Sequence, residues 1–211
     1  MTLLAPAQFT AFLGASILVT LSPGPDNLMV LGLGASRGRA QGIAFGVGCG
    51  SGCLSHTVLA ALGVSALIAA SPLAFTALKV LGGLYLVRMG WLALRSRGIA
   101  KPGDGDRSGG ESPRRLFLRG VLANAINPKV VLFFLAFLPQ FVRADRGDAG
   151  WQILQLGLVF TAQAIVLFGL LGFFAGSIGR WLSRHGDAGL WLDRIAGTIF
   201  VALGLRLIAS R

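Results

Sequence analysis

Two short stretches of this chain combine helix-breaking residues with polar groups. They are Ser22-Pro23-Gly24-Pro25-Asp26-Asn27 and Asn124-Ala125-Ile126-Asn127-Pro128-Lys129, and each falls inside a long apolar run. A proline within a helix removes a backbone hydrogen bond and its ring strikes the preceding turn. Pro23, Gly24 and Pro25 in succession therefore predict a break in the first run, and Pro128 predicts one in the second. In hydrocarbon the freed carbonyls need partners, so such breaks persist only against protein or a wet cavity. Pro25 and Pro128 suit the first position of a restarting half-helix, with Ser22 and Asn127 as candidate caps. A kink that serves packing alone is the plainer alternative; the pairing and polarity of the breaks argue against it.

Asp26 gives the first break its chemistry. The other seven of the eight acidic residues (Asp104, Asp106, Glu111, Asp145, Asp148, Asp187 and Asp193) lie in loops or near the ends of apolar runs. A carboxylate well inside such a run costs roughly 3 kcal/mol on insertion scales and marks an ion or substrate path. Lys129 holds the corresponding place in the second break with the opposite charge. One reading is an interhelical ion pair that ties two halves together. The other is a site for a zwitterion, in which Asp26 takes an ammonium while Lys129 and a helix N-terminus take a carboxylate. The two can alternate, with the pair closed when empty and opened by substrate.

Other polar residues invite weaker readings. Cys49, Cys53 and His56 share one helical face and could hold a soft metal, but three ligands from one helix lack a fourth. Gly42, Gly46 and Gly50, like Gly48 and Gly52, recur every fourth residue, a spacing that lets helices approach closely in lipid. Gln163 either lines the cavity or bonds a neighbouring helix. Trp91, Trp151, Trp181 and Trp191 sit near the ends of apolar runs as interfacial anchors. There is no H-E-x-x-H, no G-x-S-x-G and no phosphate loop with a lysine, so no enzyme and no cofactor is expected.

The elements that position these residues follow from composition. Of 211 residues, 54% are hydrophobic before the 31 glycines are counted, and 13% are charged, about half the soluble norm. That balance excludes a soluble enzyme, a nucleic-acid module and a disordered chain. The net charge of +11 falls between apolar runs, which is a topology signal. A span needs about 20 apolar residues, and six stretches fit: roughly 9–34, 43–70, 72–94, 116–142, 151–178 and 190–208. The first basic residue is Arg37, so the first run reads as a retained span and not as a cleaved signal.

The fold class expected is thus an all-α polytopic membrane protein of six transmembrane helices. Residues 96–115, rich in glycine, proline and charge, read as a flexible cytoplasmic linker between three-helix units at 1–95 and 116–211. Three spans per unit is an odd number, so the second repeat enters inverted, with the first helix of each half broken at matching places. Arg37, Arg39, the linker's basic residues, Arg180, Arg184 and Arg194 fall in alternate loops, whereas Arg143 and Arg146 are matched by Asp145 and Asp148. Both termini are expected outside, although Arg206 and Arg211 oppose this at the C-terminus.

At these residues the chain resembles the LysE/RhtB family of amino-acid exporters. The resemblance rests on Ser-Pro-Gly-Pro-Asp-Asn at 22–27, on Gly82-Gly-Leu-Tyr-Leu with Gly90-Trp91, and on Asn127-Pro128-Lys129 followed by Leu132-Phe-Phe-Leu-Ala-Phe-Leu-Pro-Gln-Phe141. It covers nearly the whole chain in order. It implies a multi-pass protein of the bacterial inner membrane that exports amino acids, driven by the proton-motive force. The positions that carry over are Pro23, Gly24, Pro25, Asp26, Asn27, Asn127, Pro128 and Lys129. The partners expected are an amino acid, protons and the lipid bilayer, with homo-oligomerisation left open and no nucleic acid. A lysine or arginine substrate would bring a second cation, yet the chain offers one intramembrane acid. Neutral amino acids of the homoserine, threonine or branched-chain type are therefore favoured. Export of basic amino acids is the alternative, and metal-cation export through Asp26, Cys49, Cys53 and His56 a more distant one.

Overall fold

The computed structural model describes residues 4–64, 71–96, 111–143, 145, 147–185 and 187–209. Most of the expected linker, residues 97–110, lies outside them. The helices are α1 (Pro6–Leu21), α2 (Pro25–Ser36), α3 (Arg39–Leu59), α4 (Pro72–Leu94), α5 (Pro113–Ala125), α6 (Pro128–Leu132), α7 (Ala149–Arg184) and α8 (Ala188–Ala209). The α3 helix runs on through a π-helical turn at Ala60–Val64. Beyond α6 come a π-helical turn at Phe133–Phe137 and a 3-10 turn at Leu138–Phe141. No strand occurs among the described residues.

Among the described residues, three helices are long and apolar enough to cross a membrane singly: Arg39–Gly63, Leu73–Leu94 and Ala149–Leu182. Two bent pairs bring the number to five, α1 with α2 at 58° and α5 with Pro128–Phe141 at 50°. The breaks thus fall where the prolines predict them. Helix α8, expected as the sixth span, carries Asp193, Arg194 and Arg206 and is not among these.

Glycine spacing sets how the helices meet. Gly42, Gly46 and Gly50 of α3 lie against Gly172, Phe168 and Ile165 of α7, so the two helices run antiparallel. A Cβ on Gly46 would sit 2.6 Å from the Phe168 carbonyl oxygen, and one on Gly50 2.6 Å from Ile165 Cα. These helices touch backbone to backbone, as small residues at every fourth position allow. The second stripe serves another neighbour: Gly48 meets Phe117, and Gly52 meets Val121 and Asn124, with α3 and α5 parallel. Gly83 and Gly90 of α4 abut Gly204 and Gly197 of α8 in antiparallel fashion. Along α7, Gln152 reaches Gln8, Gln163 reaches Thr20 and Ala175 reaches Gly34. The broken pair α1–α2 therefore runs parallel to α7.

These directions gather the basic residues. The α2–α3 turn, the start of α5 and the end of α7 share one end of the bundle, with Arg37 and Arg119 both turned to Glu111 (3.7 and 3.1 Å). The opposite end holds Gln8, Gln152 and Arg143, the last paired with Asp145 at 3.0 Å. Between the ends, Phe12, Phe133, Phe134, Phe137 and Phe160 are buried together. Leu18, Leu62, Leu81, Leu122 and Ile126 face outward, the surface expected toward lipid.

Candidate functional site

The end of α1 shows what a helix break requires. Ser22 N still donates to Leu18 O at 3.0 Å, and the carbonyls after Leu18 have lost their helical donors. Side chains replace them. Val19 O accepts from Ser22 Oγ at 2.6 Å and from Lys129 Nζ at 3.1 Å. Thr20 O accepts from Asn27 Nδ2 at 2.9 Å, and Ser22 O accepts from Lys129 Nζ at 3.0 Å. The same ammonium donates to Asn27 Oδ1 at 3.5 Å. Lys129 is only 2% exposed, so its charge is held by the negative end of a half-helix. Gly24 leaves room for it, since a Cβ there would lie 3.0 Å from Nζ.

The second break is closed from the other side. Pro128 opens α6, and Asn127 Oδ1 caps it by accepting from Lys129 N at 3.0 Å. The terminal carbonyl of Asn124 accepts from Asn127 N at 2.9 Å, and His56 Nε2 lies 3.1 Å from it. The Asn124 side chain donates through Nδ2 to Asp26 Oδ2 at 2.9 Å and accepts from Cys53 Sγ at 3.4 Å. Asp26, 3% exposed, sits in the first turn of α2, where the helix field favours a carboxylate.

Most residues singled out from the sequence thus meet in one place. Pro23 and Gly24 form the first break, Pro25 opens α2, and Asp26, Asn27, Asn127 and Lys129 are buried around it. Two expectations change. Ser22 does not cap α2; its hydroxyl turns back to Val19 O, and the cap position falls to Gly24. Asp26 and Lys129 do not pair directly, because each finds hydrogen bonds closer by: the aspartate in Asn124, the lysine in the open end of α1. Gln163 bonds a neighbouring helix, with Nε2 donating to Thr20 Oγ1 at 2.8 Å, while its Oε1 is buried without a partner.

Asn124 and Thr20 join this candidate cluster without having been expected there. Asn124 stands in the quoted break motif, but its reach to Asp26 comes from helix packing and not from spacing. Cys53 and His56 are engaged with Asn124, and no group of three His, Cys, Asp or Glu suited to a metal ion occurs among the described residues.

A helical bundle with several apolar spans, two of them broken around buried charges, is a multi-pass membrane protein. The LysE type translocator family matches residues 17–211, so the chain belongs to that family, which is one of translocators and not of enzymes. It is 31% identical over 203 residues to a threonine efflux protein of Escherichia coli, covering 92% of this chain and 94% of the relative. It is 27% identical over 200 residues to a leucine efflux protein of Enterobacter, covering 95% and 94%. A membrane protein of Vibrio cholerae without assigned function is 32% identical over 203 residues, covering 95% and 96%. No solved structure matches.

Proposed function

We propose that this protein is a secondary active exporter of neutral amino acids, of the threonine, homoserine or branched-chain type, in the bacterial inner membrane. The observation that carries the reading is the state of the two buried charges. Asp26 and Lys129 are held by neutral groups and not by each other. A substrate ammonium can replace the Asn124 amide on Asp26, and a substrate carboxylate can replace the α1 carbonyls on Lys129. Neither exchange requires an ion pair to be broken first, a step that costs several kcal/mol inside a protein. Asn27, Asn127 and the half-helix ends complete the frame, and Gln163 offers a free acceptor. The threonine and leucine efflux relatives support an uncharged side chain, as does the single acid at the site.

On this reading α8 is the sixth span and the chain is two inverted three-helix repeats. The antiparallel pairs α3–α7 and α4–α8, with α1 parallel to α7, support that arrangement. The basic end faces the cytoplasm, which puts both termini in the periplasm, and the proton-motive force drives export. A strain lacking the protein and fed dipeptides tests this. Intracellular threonine, homoserine or leucine should rise above wild type. A rise confined to lysine or arginine would transfer the assignment to basic amino acids, and sensitivity to cadmium or copper alone would transfer it to a metal cation.

A further inference from the structure

Among the described residues, the stretch that follows the second break changes helix type most often. From Pro128 to Phe141 the backbone passes from one α-helical turn to a π-helical turn and then a 3-10 turn, an irregularity that marks functional hinges. This arm leaves α5 at 50° and carries the largest aromatic cluster among the described residues. Phe133 lies 4.8 Å from Phe160 of α7 between ring centroids and 6.0 Å from Phe12 of α1, and Phe141 meets Phe12 edge-on at 5.2 Å.

The far end of the arm is fastened by two buried side-chain amides. Gln8 Nε2 of α1 donates to Phe141 O at 2.6 Å and to Gln152 Oε1 of α7 at 3.1 Å. Gln152 holds the next residue but one by both its groups: Oε1 accepts from Arg143 N at 3.0 Å, and Nε2 donates to Arg143 O at 2.9 Å. Beneath the fastening, one turn of α1 below Phe12, Ser16 is fully buried and its hydroxyl has no partner. The stripe Gln8, Phe12, Ser16, Thr20 leads along α1 to the break, where Thr20 meets Gln163. A buried hydroxyl without a partner calls for an explanation, and a polar visitor to this space is one that a moving arm would supply.

We propose that the arm Pro128–Phe141 is the outer gate of the exporter, hinged at Asn127–Pro128, with Gln8 and Gln152 as its latch. Opening the latch lifts the phenylalanines from Phe12 and Phe160, and Ser16 then meets the leaving amino acid or water as a positioning residue on the exit route. The inference rests on the export reading for its direction, but the latch can be tested without any transport. The amides are suited to the task, since neutral hydrogen bonds hold weakly enough to open within a transport cycle.

In a chain with Cys49 and Cys53 replaced by alanine, Ser16→Cys reports the space under the arm to a membrane-impermeant methanethiosulfonate added from outside sealed cells. Adding Gln152→Ala should raise its modification rate by about tenfold, the shift expected when a few hydrogen bonds of the closed state are lost. A cysteine at Val30, buried on the far side of the break, should keep its rate. An unchanged rate at Ser16→Cys, or an equal rise at both positions, would overturn the gate. As a second measurement, Phe12→Cys of α1 with Phe141→Cys of the arm, whose rings meet at 5.2 Å, can be joined by a short bifunctional methanethiosulfonate. Efflux of labelled threonine and leucine should fall by at least about tenfold on cross-linking and recover with dithiothreitol. Efflux that continues across the cross-link refutes the gate. A wild-type protein that exports neither amino acid while the labelling rates behave as expected refutes the substrate reading and leaves the gate standing.

Discussion

The two helix breaks face the same problem and solve it with opposite charges. At the first, the open end of α1 presents carbonyl oxygens, and a cation answers them: Lys129 spans Val19 O and Ser22 O. At the second, the side chain of Asn124 presents an amide N–H, and an anion answers it: Asp26 accepts at 2.9 Å. Each break is completed by the charge that belongs to the other, so the halves are cross-braced and not simply paired. The difference lies in how many groups depend on each charge. Lys129 serves three acceptors of the first half, whereas Asp26 takes a single side-chain donor from the second. The lysine is therefore the stronger structural element, and the aspartate is the less engaged of the two.

This asymmetry orders the expected effects of mutation. Lys129→Ala strands the carbonyls at the end of α1 and should cost about 3 kcal/mol, roughly two charge-assisted hydrogen bonds. A fall in thermal stability in detergent that is no larger than for Asn124→Ala would remove the asymmetry. Asn124→Ala withdraws one donor from a buried carboxylate and should cost about 2 kcal/mol, read in the same assay. His56→Phe, which keeps the ring packed on Phe134, loses one hydrogen bond to Asn124 O and should cost about 1 kcal/mol; Asn127 N still serves that oxygen. The smallest expected quantity is a coupling. In a double-mutant cycle, Asp26→Ala and Lys129→Ala should couple through space only, more weakly than Asp26→Ala with Asn124→Ala, because only the latter pair is in contact. A larger coupling for the charged pair would restore the direct ion pair that the sequence suggests.

The breaks themselves were legible in the sequence, because proline and glycine act locally. Pro25 and Pro128 open their half-helices, and Asn127 caps the second, as their types require. The glycine stripes of α3 were legible for the same reason, since a period of four residues fixes which face is small. What the sequence did not reveal depends on packing register between distant segments. Asn124 and Asp26 meet across 98 positions and Gln8 and Gln152 across 144, and no local pattern marks them as partners. Ser22 was misassigned because a hydroxyl at a helix end can cap forward or bond backward, and the bond back to Val19 O won. Of the two readings that opposite charges at matching breaks allow, the direct ion pair is absent because the carbonyls that a broken helix leaves open take the lysine first.

On the proposed export function Asp26 is the group that receives the substrate, and one substitution tests this with little structural cost. Asparagine at position 26 keeps an acceptor for the Asn124 amide, so Asp26→Asn should unfold within about 1 kcal/mol of the parent. In inverted inner-membrane vesicles energised by a proton gradient, the parent should accumulate labelled threonine or leucine, and Asp26→Asn, inserted in equal amount, should accumulate neither above the background of vesicles without the protein. Uptake by Asp26→Asn at the parent's rate would contradict the account.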